Sequence, residues 1–561
     1  MSQSLESRLG CAEPRPASVV MQPEMLGAVR PTRYSFSRSL IRRAITDGWK
    51  IDRTRFDIDG DGQGVAVYQV DCAGTVVSFI AITQTLPESA HTDRVIADRW
   101  EITAALVAGV ADDALIAHAQ AHVTRQERGR LDPRFLVLTR GNRSVRFFDR
   151  LVGDLARGEQ PDPESVGDSA YIMRSTAFYA NGKYGMRSFD GYPEGHPLAA
   201  SYRAQFLAAF LYRELSYDVV EHCARVRGGD TAVGFDDEWR RFFGLGNATG
   251  LGLVPYFVHH PRVINAWVGV RELALAEVRA TPATDEGRAQ LSTVIDRARH
   301  HFASGTTEDC TPFLSPAELV PHIDRLRSAW LEVADRSDAY DAWFRSVEHE
   351  HPEAVELAAS ALIELHDGDD RVIDELLLVD ESSRIDHDLS TDELVALIDE
   401  RFGWVDELDL DADDADAFWW VISDNTDEPR RTHRARLDPD GRDVAIDVAL
   451  LIHRVRHALR ATSQPTVGDF LDAHPEHRAA IARVFLSDRR YGEARDNTCA
   501  AEYLPLQLQR FQLAMYGMDN YKPKSTDWLR VTLFQGAPRA DELSSTAVDD
   551  WFFPVRPALH A

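Results

Sequence analysis

The sequence contains a lysine whose surroundings favour a chemical role. The chain of 561 residues has 62 basic residues, of which four are lysines: Lys50, Lys183, Lys522 and Lys524. Lys183 follows an Asn-Gly step, which is typical of a turn, and precedes Tyr184 and a glycine. A primary amine there can anchor a carboxylate or phosphate, form a Schiff base, or act as a base when desolvated. We interpret Lys183 and Tyr184 as candidate catalytic residues and Asn181 as a substrate-binding residue, against the alternative of a solvated turn.

A glycine-rich run, GLGNATGLG at 244–252, is the second candidate. Glycines expose backbone N–H groups, and a helix beginning after them would add the positive end of its dipole, so such a run can bind an anion. It is neither a Walker A loop nor a dinucleotide fingerprint, because no Gly-Lys-Ser/Thr follows and the segment before it has a helical pattern. The predicted anion-binding residues are Arg174, Gly246, Asn247, Thr249 and Gly250. The alternative is that the glycines only permit close packing.

Two further segments carry polar residues that could complete a site. His259 and His260 follow the glycine run, and as neighbours on a helix they would point about 100° apart, which disfavours joint metal binding. One of them could serve as an acid or base, or simply as a helix cap. Arg495 lies in a charged segment, 487–505, which could line a pocket or form an ion-pair network.

The sequence predicts no metal site and identifies no cofactor, so the cofactor is unknown. The run DIDGDGQG at 57–64 resembles the start of a calcium loop, but its twelfth position is Tyr68 instead of a carboxylate. A turn leading into a strand is the better interpretation.

Composition limits the class of partner and the compartment. The 90 acidic residues exceed the 62 basic ones, and the formal charge of −28 opposes broad binding to nucleic acid or to an anionic membrane. The five cysteines are scattered without a C-x-x-C pair, which is typical of a reducing cytosol. We therefore expect a soluble cytoplasmic protein, with homo-oligomerisation left open.

The hydrophobic pattern predicts an α+β fold that is predominantly α-helical. We expect a small N-terminal domain with a β-hairpin (strands at 65–70 and 76–82) and packed helices, followed by large helical domains. Helices are expected at 34–49, 99–110, 144–158 and 200–229, among others, and a further strand is expected at 135–139. The predicted divisions are a flexible tail at 1–30, an N-terminal α+β domain at 31–160, a central helical domain with the candidate site at 169–360, an acidic variable segment at 361–445, and a C-terminal helical domain with a minor strand at 446–561.

These observations lead to one hypothesis of function and two alternatives. The hypothesis is a cytosolic enzyme, such as a lyase, isomerase or decarboxylase, that acts on a small anionic metabolite through the glycine-rich run and Lys183. The first alternative is a non-catalytic, ligand-responsive or assembly protein that uses its acidic surface. The second is a nucleotide-dependent enzyme with an unfamiliar loop.

Overall fold

The computed structural model describes most of the chain. The described residues are 13–87, 100–125, 134–144, 147–166, 171–175, 195–200, 202–250, 261–304, 314–368, 385–407, 419–423, 429–431, 441–445, 447–486, 491, 505–518, 520–525, 528–543 and 551–557. Within these ranges, no helix is both long enough and apolar enough to cross a membrane.

The fold is α+β and mostly helical, and one curled sheet runs through it from residue 50 to residue 533. Its strands lie in the order β1-β2-β3-β4-β5-β6-β7-β12-β11, and β8 to β10 form a separate small sheet. The strands are β1 Lys50–Ile58, β2 Gly64–Cys72, β3 Thr75–Thr83, β4 Ile102–Ala108, β5 Phe135–Arg143, β6 Tyr171–Ser175, β7 Gly244–Gly250, β8 Trp419–Ser423, β9 Pro429–Arg431, β10 Gly441–Ala445, β11 Asn520–Ser525 and β12 Trp528–Leu533. The prediction of a small N-terminal hairpin domain is therefore wrong, since its two strands are part of this larger sheet.

Helices pack against the sheet and against one another to form the rest of the molecule. They are α1 Ala17–Val20, α2 Pro23–Ala28, α3 Phe36–Thr46, α4 Asp113–His122, α5 Phe147–Ala156, α6 Pro163–Val166, α7 Arg203–Gly228, α8 Asp237–Phe242, α9 Pro261–Ala280, α10 Asp285–Ala303, α11 Pro316–Val333, α12 Ala339–Val347, α13 Pro352–Ile363, α14 Thr391–Phe402, α15 Asp447–Ala461, α16 Val467–Ala473, α17 Arg478–Leu486 and α18 Pro505–Tyr516.

The two faces of the sheet bury different cores. The inner face packs on α7, a helix of 26 residues that is almost wholly buried along its first five turns, and this core continues into the helical part of the molecule. On the outer face, α4 covers β2 to β5 through Leu115, Ile116 and Ala119. Both faces of the central strands are therefore mostly apolar, which is why every residue of β4 except Thr103 is apolar. That pattern led to the expectation of a helix at 99–110, which is wrong, because residues 102–108 form β4.

Local sequence explains the two hairpins at the start of the sheet. Between β2 and β3, Ala73 and Gly74 adopt positive φ angles of 54° and 95°, the conformation that a two-residue hairpin turn needs. Between β1 and β2, an Asp59 carboxylate oxygen accepts hydrogen bonds from the N–H groups of Asp61 and Gln63. The aspartates of the calcium-like run thus form a turn, as expected.

The N-terminal segment is packed into the helical part of the molecule. Residues 26–41 are all buried, and Arg15 and Arg30 form ion pairs with glutamates of α9 and α13. For residues 13–30 the structure thus differs from the expected loose tail, because these arginines supply a second guanidinium group to carboxylates that are buried among the helices.

Candidate functional site

A pair of parallel strands lies beneath the predicted anion site. β6 and β7 run side by side in parallel, with Arg174 opposite Gly246 and Tyr171 opposite Gly244. The last residues of these strands, Ser175 and Gly250, therefore lie at the same end of the sheet, where the chain leaves both strands. Two of the predicted binding residues, Arg174 and Gly246, are neighbours in the structure.

The glycine-rich run is a strand over 244–250, so the prediction of an anion-binding loop there is wrong in its local structure. Gly246 has Arg174 of β6 on one side and Thr532 of β12 on the other. A Cβ atom at Gly246 would lie 2.5 Å from the ring of Tyr171. Close packing thus explains this glycine. Because β7 lies between two other strands, its backbone N–H groups are directed towards those strands and not towards a ligand.

Asn247 lies on the opposite face of β7 from Gly246. Successive residues of a strand alternate between faces, and Leu245 belongs to the inner core around α7. Asn247 shares the face of Leu245 and is only 3% exposed. The structure therefore separates Asn247 from the side on which Arg174 and Gly246 lie. Thr249 and Gly250 are opposite Leu529 and Trp528 of β12.

Arg174 is part of a polar row on the outer face of the sheet. Arg140 of β5 is opposite Thr103, which in turn is opposite Ile82, a residue of the outer core beside α4. Asn142, two residues after Arg140, is opposite Arg174. Arg140, Asn142 and Arg174 therefore share the outer face, and we name them the outer-face patch.

The outer-face patch places two arginines at neighbouring positions of adjacent strands. Diagonal neighbours on adjacent antiparallel strands are roughly 7–8 Å apart, and Arg140 and Arg174 hold such positions across Asn142. Both arginines are half-buried. The Arg140 guanidinium lies over the ring of Trp100, 4.7 Å from its centroid, which orients its plane and leaves its N–H groups directed along that plane.

A pair of backbone–side-chain hydrogen bonds fixes the strand that carries the patch. The N–H of Glu101 donates to the Asn142 Oδ1 atom at 2.8 Å, and the N–H of Arg143 donates to the Glu101 Oε2 atom at 2.7 Å. Glu101 is 6% exposed and Asn142 9%. The patch thus combines two cationic groups with a fixed amide and a nearby carboxylate.

The remaining predicted site residues lie outside the described residues. These are Asn181, Lys183, Tyr184, His259, His260 and Arg495. Their proposed roles stay predictions.

Sequence reasoning missed Arg140 and Asn142. The expected strand ended at Thr139, whereas β5 continues to Arg143 with Arg140 and Asn142 at alternate positions. That two-residue period was the available signal.

A second polar region lies in the helical part, where α13 is buried from Glu353 to Ile363 yet carries two glutamates. Glu353 pairs with Arg30 and Arg510, and Glu356 pairs with Arg15 and Arg271. Although burial alone would raise the pKa of both carboxyl groups, these arginines hold each pKa below its usual value. Each carboxylate is met by two guanidinium groups, which indicates a structural role.

Among the described residues, no group of three or more His, Cys, Asp or Glu side chains is arranged to hold a metal ion. Comparison with protein-family models, with curated proteins and with solved structures finds no match for this chain.

Proposed function

We propose that this protein is a cytosolic enzyme that binds a small carboxylate or phosphate metabolite at the outer-face patch. The observation that carries the proposal is the parallel pairing of β6 and β7, which sets Arg174 beside Gly246 and directs two chain segments away from one edge of the sheet. The segment after β6 contains Lys183, and the segment after β7 contains His259 and His260.

The chemistry of the patch suits an anion. Two arginines at diagonal strand positions, roughly 7–8 Å apart at the backbone, can each direct hydrogen bonds to one carboxylate or phosphate, and Asn142 adds a neutral polar group between them. In an acidic protein with a charge of −28, a local pair of arginines also offsets the general repulsion of an anion.

The catalytic part of the proposal assigns Lys183 as base, nucleophile or electrostatic anchor. Tyr184 or one of the histidines, His259 or His260, exchanges the proton. Gly246 has a packing role in this proposal, because the Tyr171 ring already fills the space where its side chain would lie. Asn247 is not included, because its inner-face position separates it from Arg174.

The first test is ligand binding by thermal shift with inorganic phosphate, citrate and a panel of small carboxylates. A ligand at a hundred times its dissociation constant adds about 2.7 kcal/mol to the free energy of unfolding, which raises the melting temperature. We expect Arg174→Gln and Arg140→Gln to abolish the shift produced by the best ligand.

The matched control is Arg345→Gln, because this arginine is 69% exposed and pairs with Asp341 on the helical side of the molecule. This variant should keep the full shift. Melting of all three variants without ligand shows whether they are folded. If folded Arg174→Gln and Arg140→Gln proteins respond like the parent, the patch is not the binding site.

The second test separates an enzyme from a binding protein. The purified chain and its Lys183→Met variant are incubated with a metabolite extract, and consumed and formed compounds are measured by mass spectrometry. Consumption by the parent alone supports the enzyme. Anion binding without turnover in either protein favours the ligand-responsive alternative, and a thermal shift confined to nucleoside triphosphates favours the nucleotide-dependent one.

A further inference from the structure

Strand β1 forms one edge of the long sheet. In the described part of the chain it pairs with β2 on one side and with no strand on the other. From Lys50 to Asp57 its residues are exposed or half-buried, and only Ile58 is buried. The turn at Ala540–Glu542 contacts the strand but leaves residues 50 and 52–54 exposed. The backbone groups along this edge can therefore pair with a further strand.

A β-bulge in the middle of β1 changes the face that its second half presents. The register with β2 shifts between Arg53 and Arg55, so Thr54 is the extra residue. Ile51 and Phe56 both pack against the inner core, although their odd separation would place them on opposite faces of a regular strand. The two halves of β1 thus share one apolar face because of the bulge.

The outer face of β1 carries charges of alternating sign. Arg55 is opposite Val67 of the outer core, and its guanidinium lies 3.0 Å from a carboxylate oxygen of Asp113 on α4. The other members of the row are opposite residues 65, 69 and 71 of β2, which share the face of Val67 by strand alternation. We name this set the charged row of β1, and it consists of Lys50, Asp52, Arg55 and Asp57.

The existing ion pairs of the row are weak competitors for a new partner. Arg55 contacts Asp57 at 2.5 Å as well as Asp113, but these carboxylates are 62% and 96% exposed. Exposed pairs contribute little to stability, so they can exchange partners at low cost. Among the described residues, no ion pair involves Lys50 or Asp52.

The charged row is complementary to itself when two copies of β1 run antiparallel. With a two-fold axis at the bulge, Lys50 of one copy is opposite Asp57 of the other, and Asp52 is opposite Arg55. Residues directly opposite each other on antiparallel strands share a face and interact, and opposite charges there are favourable. Since the axis generates each pair twice, the row is neutralised along its full length.

The neighbouring alignments of the same two strands place like charges together. A shift by two residues in one direction sets Lys50 opposite Arg55, and a shift in the other direction sets Asp52 opposite Asp57. Charged residues on an edge strand usually prevent pairing with other chains. In β1 their order disfavours the shifted registers and favours one alignment.

We propose that β1 pairs antiparallel with β1 of a second copy of this chain, which joins the long sheets of the two copies into one. The same alignment sets Ile51 opposite Phe56 on the inner face, so that apolar contacts add to the ion pairs. A two-fold pairing of this kind uses both edges and is closed, so it produces a dimer and not a filament.

The test uses two full-length variants whose charged rows have a single sign. Asp52→Lys with Asp57→Lys makes the row basic, and Lys50→Glu with Arg55→Glu makes it acidic. In sedimentation velocity we expect the parent to dimerise with increasing concentration, and the dissociation constant to rise about tenfold or more in each variant, because like charges then meet. Mixing the two variants should restore a dimer, and native mass spectrometry should identify it as one chain of each kind.

The matched control is Asp296→Lys with Asp324→Lys, which changes the net charge equally at exposed positions of α10 and α11. This variant should keep the dissociation constant of the parent. A parent that stays monomeric at its highest soluble concentration overturns the proposal, and so does a dimer that persists in both row variants. Melting temperatures show whether each variant is folded.

Cysteine trapping tests the alignment itself. A mixture of Asp52→Cys and Arg55→Cys chains should form a disulfide-linked dimer of unlike chains under mild oxidation, because opposite positions bring the two Cβ atoms within reach of a disulfide. Asp52→Cys alone should link poorly to itself. Equal linking in the two experiments would contradict the proposed register.

Discussion

At the scale of single residues, buried charge is the main feature of the helical part. Glu356 is fully buried and receives hydrogen bonds from Arg15, in the N-terminal segment, and from Arg271, on α9. A buried ion pair adds little net stability compared with apolar residues of the same shape, but removing one partner leaves the other charge without compensation. The loss of stability on mutation of the glutamate therefore comes from the buried arginine charges that remain.

The first prediction concerns Glu356→Gln. This change keeps the size of the side chain and removes its charge, so it leaves Arg15 and Arg271 sharing only Glu272. We expect the free energy of unfolding to fall by about 3–5 kcal/mol, measured by urea denaturation. The matched change Asp338→Asn breaks an exposed pair with Arg336 and should leave stability unchanged. An equal response in both variants would contradict the structural role of the buried pairs.

The second prediction concerns Glu214, a buried residue of α7. Burial raises the pKa of this carboxyl group from 4.5 to about 7, although Arg213 and the N–H of Ala540 act in the opposite direction. The folded protein therefore keeps a proton that the unfolded chain releases above pH 4.5. Stability contributed by this group is present at low pH and is lost as the pH rises from about 4.5 through 7.

Glu214→Gln imitates the protonated group and removes this dependence. Relative to the variant, the parent should lose roughly 3 kcal/mol or less of unfolding free energy between pH 5 and pH 8. Urea denaturation of both proteins at the two pH values measures the difference, and other titrating groups cancel in the comparison. A constant difference between the two proteins would show that Glu214 is ionised throughout this range.

At the scale of elements, the contact between β6 and β7 depends on Gly246. An alanine there would place its Cβ atom 2.5 Å from the Tyr171 ring, so the ring has to move. We expect Gly246→Ala to lower the free energy of unfolding by about 1–3 kcal/mol, and the double variant with Tyr171→Ala to lose less than the sum of the two single changes.

Gly403→Ala is the control for this prediction. Gly403 has a φ of −56° and no atom within 4 Å of an added Cβ, so its replacement should be neutral or slightly stabilising. If Gly246→Ala is also neutral, close packing is not the reason for glycine in β7.

The sequence predicted elements well where apolar residues dominate a helix and recur at its spacing. The helices at 36–46, 147–156 and 203–228 were expected within a few residues, since their apolar positions recur at helical spacing. β4 and β7 were missed for opposite reasons. β4 is apolar on both faces, so it has no alternation, and β7 is rich in glycine, which strands usually avoid. Both depend on neighbours that are distant in sequence.

The same limit applies to the candidate site. Arg174 and the glycine run were selected from local sequence, and the parallel register brings Arg174 to Gly246. Arg140 could not be grouped with them, because its place beside Arg174 depends on the pairing of β5 with β6. Asn247 lies on the opposite face from Gly246 because successive residues of a strand alternate between faces. This could not be predicted from the sequence, because the glycine-rich run was expected to be a loop.

At the scale of the whole molecule, the long sheet argues against an independent N-terminal domain. β1 to β5 end at Arg143, but β6, β7, β12 and β11 continue the same sheet, and α7 packs on several of these strands. The predicted division near residue 160 would therefore expose the edge of β5 and the inner core. An exposed edge and an uncovered apolar face both promote aggregation.

The last prediction concerns two fragments that result when the chain is divided after Gly158. This residue has a φ of 81° in a turn that follows α5, so a break there disturbs no strand or helix. We expect the fragment 1–158 to be insoluble, or to lack a cooperative unfolding transition, when it is produced alone. Produced together, fragments 1–158 and 159–561 should co-purify, because β6 covers the β5 edge and α7 covers the inner face. A soluble 1–158 fragment with its own cooperative transition would show that the N-terminal strands form a domain whose stability does not depend on the rest of the sheet.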